Sequence, residues 1–133
     1  MNNYPDAPAK RNTLREGEAY QTFVRQILNR WGFTLWHHES KGLQYSIGEN
    51  PQGFEIKLDT RCFSHDPTKN PTNRLSIEVA EKTRRQNPEW IPSGILRNDN
   101  AWIYVQGNYA ITFIFAKNWL LRFFRERERR LRR

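Results

Sequence analysis

The tightest constraint on this chain is the run Gly53-Phe54-Glu55-Ile56-Lys57-Leu58-Asp59, in which apolar and charged side chains alternate without a break. A period of two places Phe54, Ile56 and Leu58 on one face of a strand and Glu55, Lys57 and Asp59 on the other. Two carboxylates bracketing an amine admit two readings. The polar face is either a solvated edge carrying i, i+2 ion pairs, or a site in which carboxylate oxygens take a hard divalent cation while the ammonium orients a water or neutralises a phosphate.

The segments around this strand predict an ordered set of elements. Residues 1–12, with two prolines and several asparagines, predict a flexible arm. Thr13-Leu14-Arg15-Glu16 has capping-box form and predicts a helix that runs to about Arg30 and is closed by Gly32. Tyr20, Phe23, Val24, Ile27, Leu28 and Trp31 give that helix one broad apolar stripe. Gln21 sits at the stripe's edge, looking along the inner surface, and Glu18 points roughly opposite. Residues 33–38 and 43–47 read as strands, and the turn residues Glu49-Asn50-Pro51-Gln52-Gly53 predict a hairpin between 43–47 and 54–58 with Glu49 beside its turn.

Residues 60–73 read as an exposed loop and 74–83 as a further strand, with Leu75, Ile77 and Val79 inward and Ser76, Glu78, Ala80 and Lys82 on the opposite face. Glu81 falls at its solvent-exposed end. After an irregular stretch, 101–105 and 110–116 predict a hairpin across Gln106-Gly107-Asn108, its second strand apolar enough to be buried. A last helix opens at Lys117 or Asn118, packs Trp119, Leu120, Phe123 and Phe124, and projects or frays beyond them. The fold class expected is α/β (α+β): an N-terminal helix, a central mixed β-sheet and a C-terminal basic helix. The organisation expected is an arm at 1–12, one domain at 13–124 and an Arg-rich tail at 125–133.

Composition narrows the function. The 133 residues suffice for a single core. No apolar run approaches the roughly 20 residues of a membrane span, and the polar start shows no targeting segment, so an intracellular, cytoplasmic protein is expected. The single Cys62 excludes an internal disulfide, and His37, His38 and His65 lack zinc-ligand spacing. The net charge is +8, of which residues 117–133 supply +6: Lys117, Arg122, Arg125, Arg127, Arg129, Arg130, Arg132 and Arg133 stand against Glu126 and Glu128. The Arg-Glu alternation is readable as a self-paired solvated helix, whereas the excess of arginine points to phosphate contacts and hence to DNA. Trp90, in a proline-rich loop, is a base-stacking or dimer contact to watch.

Taken in order, these elements resemble the PD-(D/E)XK nuclease superfamily, the restriction-endonuclease-like fold that includes Holliday-junction resolvases and many phage nucleases. Gly17-Glu18-Ala19-Tyr20-Gln21 with Val24, Leu28 and Gly32-Phe33 is similar to the family's first helix, with Gln21 in the place of the usual Glu. Glu55-Ile56-Lys57 resembles the (D/E)XK tripeptide, and Asp59 matches phage members with a Glu-x-Lys-x-Asp strand. Leu75-Ser76-Ile77-Glu78 is similar to their Asn-x-x-Ile-Glu strand, and Pro92-Ser93-Gly94 with Ala101-Trp102 to their later Pro-Ser-Gly and Ala-x-x-Trp elements. The resemblance covers most of residues 15–116. No Pro-Asp precedes the tripeptide.

The resemblance implies a metal-dependent endonuclease that hydrolyses DNA phosphodiester bonds with Mg²⁺ or Mn²⁺. Two alignments stay open. In one, Glu49 is the first metal-binding acid, Glu55 the second and Lys57 the lysine; in the other, Glu55 or Asp59 is the first acid and Glu78 the second, with Lys57 or Lys82 as a migrated lysine. The implied metal ligands are thus Glu49, Glu55, Asp59 and Glu78, with Lys57 positioning the attacking water and Gln21 bonding a metal water. Cutting both strands of a duplex suggests a homodimer. Two rivals remain: a catalytically silent nucleic-acid-binding protein of the same fold, and an interaction domain whose Arg tail binds an acidic protein or RNA.

Overall fold

The computed structural model describes residues 7–82 and 86–132, with the side chains of 7–12 and of Tyr45 left out of the account. Among the described residues it is a mixed α/β fold of three α-helices, a three-stranded mixed sheet and a two-stranded ribbon.

Helix α1 spans Ala7–Arg30, so it starts six residues before the predicted cap; residues 7–12 of the expected arm are helical, and its residues 1–6 lie outside the described residues. Pro8 lies in the first turn, where a missing N–H costs nothing, and Ala, Lys and Arg around it favour the helix; Thr13 is therefore an interior residue. The other end closes as expected. Gly32 takes φ +90°, its N–H reaches the Asn29 carbonyl at 3.1 Å, and the Phe33 N–H reaches that of Leu28 at 2.9 Å, the Schellman arrangement.

Residues 33–38 form no strand, and 43–47 are not half of a hairpin: Lys41–Ser46 is a short helix, α2. Ser40 outweighs the strand-like alternation there, because its Oγ accepts the Leu43 N–H at 3.0 Å and caps the helix. Strand β1, Phe54–Leu58, pairs instead with the distant β4, Ile103–Gly107, in parallel, matching Glu55 to Tyr104 and Lys57 to Gln106. β4 pairs antiparallel with β5, Thr112–Ala116, the hairpin foreseen in the sequence. The sheet order is β1-β4-β5. Ile114 is 50% exposed, so β5 is a half-open edge rather than a buried strand.

The strand expected at 74–83 shrinks to β2, Ala80–Glu81, in a two-stranded ribbon with β3, Ile91–Pro92. Residues 74–79 belong to no strand and are held individually, the Glu78 carbonyl accepting the Ile95 N–H at 3.1 Å and the Ser76 carbonyl accepting from Gln106 Nε2 at 2.7 Å, and Thr83 lies outside the described residues. Gly94 must be glycine here, because φ is +54° and a Cβ would run into the backbone of Glu78.

Helices cover both faces of the sheet. On one, Tyr20, Val24 and Leu28 of α1 pack on Ile56 and Val105; on the other, Leu120 packs with Tyr104 and Ile95, joined by Ile77, Val79 and Phe124. Tyr104 and Val105 are fully buried on opposite faces of β4, the middle strand. Leu120 and Phe124 belong to α3, Lys117–Leu131, which continues unbroken through the arginines instead of fraying after Phe124. Two residues expected to pack, Trp119 and Phe123, face water. Among the described residues no helix is long and apolar enough to cross a membrane.

Candidate active site

β1 is an edge strand, and its open side is where the polar residues converge. The Ile56 N–H points away from β4 and donates to Glu49 Oε2 at 3.0 Å. In a strand the carbonyl of the same residue points to the same side, so the Ile56 C=O also faces this edge. Glu49 is held there by its neighbours: Asn50 clamps the next strand's start, with Oδ1 accepting from Phe54 N at 2.8 Å and Nδ2 donating to Phe54 O at 2.7 Å. Gly53, at φ +76° and packed on Trp102, lets the chain turn from Glu49 into β1.

A cleft of about 960 Å³ lies beside this edge, lined by Gln21 and Arg25 of α1, by His37 and Glu49, and by Lys57. The other sequence-predicted acid of the pair, Glu55, is only 3% exposed behind Lys57, whose Nζ is 3.4 Å from Glu55 Oε1. Glu55 Oε2 is buried and meets no hydrogen-bond donor. Gln21, Glu49 and Lys57 thus line one cleft from a helix, a loop and a strand, and Glu55 joins them through Lys57 and through its charge on Glu49. Glu18, expected to point away from the inner surface, lines the same cleft.

Electrostatics mark this group. Burial pushes the Glu49 carboxyl up to about 7, helped by the charges of Glu55 and Asp99 and opposed by the Ile56 N–H and Lys57. Burial also raises Glu55, with Lys57 pulling the other way. Burial alone would lower Lys57, but the carboxylates of Glu55, Glu49 and Glu78 more than offset it, so the net shift is upward and the ammonium is retained. Tyr104, fully buried opposite Glu55 on β4, has its phenol raised by burial and by the same acids, and its hydroxyl meets no hydrogen-bond partner.

Asp59 and Glu78 are placed differently. Asp59 Oδ1 accepts the N–H groups of Arg61 and Cys62 at 3.1 Å each, and Oδ2 those of Ser76 and Gln106 Nε2 at 3.3 Å each, so the carboxylate anchors the loop after β1. Glu78 is solvent-exposed, in the segment that packs on Gly94, and reaches the group through its charge on Lys57. Lys82 sits 4.8 Å from the ring centroid of Trp90. Arg122, Arg125, Arg127, Arg129, Arg130 and Arg132 lie on or at the end of α3, and Arg133 lies outside the described residues.

Sequence reasoning missed Asp99. Its carboxylate, 3% exposed, takes the Lys117 ammonium at 2.9 Å, and Lys117 Nζ also donates to the Arg97 carbonyl at 2.8 Å. This buried pair acts on the acids through charge: Asp99 raises both Glu49 and Glu55, and Lys117 lowers Glu55. No pattern marks it, because Asp99 lies in a stretch without periodicity and Lys117 merely opens a helix.

The residues fit a hard divalent cation. They offer two close carboxylates of raised pKa, one with an unmatched buried oxygen, and a strand-edge carbonyl. Among the described residues no three His, Cys, Asp or Glu side chains form a complete ligand set. Two carboxylates with the remaining positions left to water is the coordination Mg²⁺ favours. Compared with known proteins, the chain matches no family model, no curated protein and no solved structure.

Proposed function

We propose that this protein is a metal-dependent endonuclease with a restriction-endonuclease-like core, hydrolysing DNA phosphodiester bonds in the cleft beside β1. The observation that carries the reading is the convergence of Glu49, Glu55 and Lys57 at an open strand edge, with Glu49 lifted to about 7. Buried carboxylates in mutual repulsion are what a cation site needs and what a solvated strand would avoid.

Glu49, Glu55 and the Ile56 carbonyl would hold a Mg²⁺ or Mn²⁺, which would supply an acidified water and charge stabilisation at the scissile phosphate. The chain's own residues do the rest. Lys57 stays charged, so it acts as a cation that orients the attacking water and meets a phosphate oxygen, not as a proton acceptor. Gln21, on the facing helix, lines the cleft and is neutral, so its role is to bond a metal-held water without adding negative charge. Arg25 and His37 on the cleft wall face the flanking phosphates. One cleft engages one strand, so a homodimer cuts a duplex through.

The test is cleavage of labelled plasmid, linear duplex, four-way junction and single-stranded DNA with Mg²⁺ or Mn²⁺ against EDTA. Cutting is expected only with metal, and Glu55→Ala or Lys57→Ala should lower it at least about 100-fold while leaving DNA binding in place. Binding without cutting of any substrate rejects the enzyme and leaves a silent DNA-binding protein.

A further inference from the structure

The water-facing side of β5 and α3 carries a feature that the cleft does not use. Phe63, Phe113, Phe115, Trp119 and Phe123 form one unbroken row, with consecutive ring centroids 5.9, 6.2, 6.1 and 5.8 Å apart. From Phe113 onward neighbouring rings are nearly parallel, their planes inclined by 9°, 2° and 17°. The row is open at its ends, with Phe63 39% exposed, Trp119 56% and Phe123 61%, while Phe113 and Phe115 between them are half-buried and Phe115 packs against the Leu120 cluster. Phe63 is also strained. Its φ of 48° is a conformation bulky residues rarely adopt, and a hydrogen bond from its N–H to the Thr72 carbonyl at 2.7 Å holds it with the ring beside Phe113.

The row runs into positive charge. Trp119, Phe123 and Arg127 are spaced i, i+4, i+8 on α3, with Arg122 and Arg130 alongside, all exposed. Arg130 bonds Glu126 at 2.8 Å, which leaves the strip basic overall.

We infer that this row is a docking surface for single-stranded nucleic acid, whose bases stack on the exposed rings while its phosphates meet the arginines. Every base has a face that stacks on an aromatic ring, and a duplex hides those faces, so exposed aromatics joined to arginines select an unpaired strand. A second copy of the chain fits less well. Helix α3 holds six basic residues against two acidic ones, and self-association through this face would oppose like charges. The surface is separate from the hydrolytic cleft, and binding measured without metal does not depend on cleavage.

The experiment uses the full chain in EDTA with a fluorescein-labelled oligo(dT) of about 20 nucleotides and a blunt duplex of equal length, followed by anisotropy. The double variant Trp119→Ala, Phe123→Ala should lose about tenfold or more of its affinity for the oligo(dT) and keep its affinity for the duplex. Trp119→Phe, which retains a ring, should keep the affinity and lose most of the tryptophan quenching that the oligo(dT) causes. Because both side chains are mostly exposed, thermal unfolding of the variants should stay close to wild type, which separates lost binding from lost structure. Unchanged oligo(dT) affinity, or equal loss for both DNAs, overturns the inference. So does sedimentation of the wild type as a dimer that the double variant splits, which would make the row a self-association face.

Discussion

Glu49 concentrates the physics of this protein in one side chain. Its carboxyl rises from an ordinary 4.5 to about 7, so near neutrality the folded chain holds a proton that the unfolded chain has released. Folding stability should therefore be greatest below pH 4.5 and fall as pH climbs through 7, by about 3 kcal/mol at most. Glu49→Gln should flatten most of that slope in urea unfolding measured from pH 4.5 to 8 in EDTA. Glu55 is raised in the same direction, so a residual slope of the same sign should persist in the variant. Added Mg²⁺ should restore stability on the alkaline side in the wild type but not in Glu49→Gln, because only the wild type can replace the proton with the cation.

Helix α3 shows how one element serves two surfaces. Leu120 points into the core with Tyr104 and Ile95, and Phe123, three residues on, points to water. Leu120→Ala should destabilise the fold by about 3 kcal/mol, because it removes buried methyls and leaves a cavity. Phe123→Ala should cost less than about 1 kcal/mol. Similar losses in thermal melts of the two variants would show that the helix is rotated from the orientation described. The periodicity of α3 was legible, since Leu120 and Phe124 do pack; which aromatics join them was not. Trp119 and Phe123 are as apolar as core residues, and only the placement of β5 beside α3 leaves them in a surface row.

The charge of the whole molecule is polarised. Of the net +8, most resides on α3 and just beyond it, far along the sequence from the acidic group at β1. Replacing Arg125, Arg127, Arg129 and Arg132 with Gln should weaken DNA binding across all sequences. Each lost phosphate contact should flatten the plot of log affinity against log salt by about one unit. Stability should change little, because these side chains are exposed. A salt dependence identical to wild type would place the phosphate contacts elsewhere.

The sequence by itself determined the local polarity of each element. The alternation of residues 54–58 made β1 and its two faces, the stripe from Tyr20 to Leu28 made α1's buried side, and Gly32 stopped that helix. It also marked Glu55 and Lys57, a carboxylate and an amine at strand spacing, whereas Glu49 and Gln21 drew notice as site residues only through the family resemblance. Tertiary structure decided the pairing. A five-residue alternation at 43–47 weighs less than one serine cap, and β1 pairs in parallel with β4 across the long connection of residues 59–102, which no local pattern announces. The same long-range closure buried Asp99 with Lys117, spent Asp59 on anchoring a loop and set Glu49 against the Ile56 amide. Burial and proximity arise between segments distant in sequence, so the shifts that mark a site are properties of the assembled fold and have no counterpart in any local pattern.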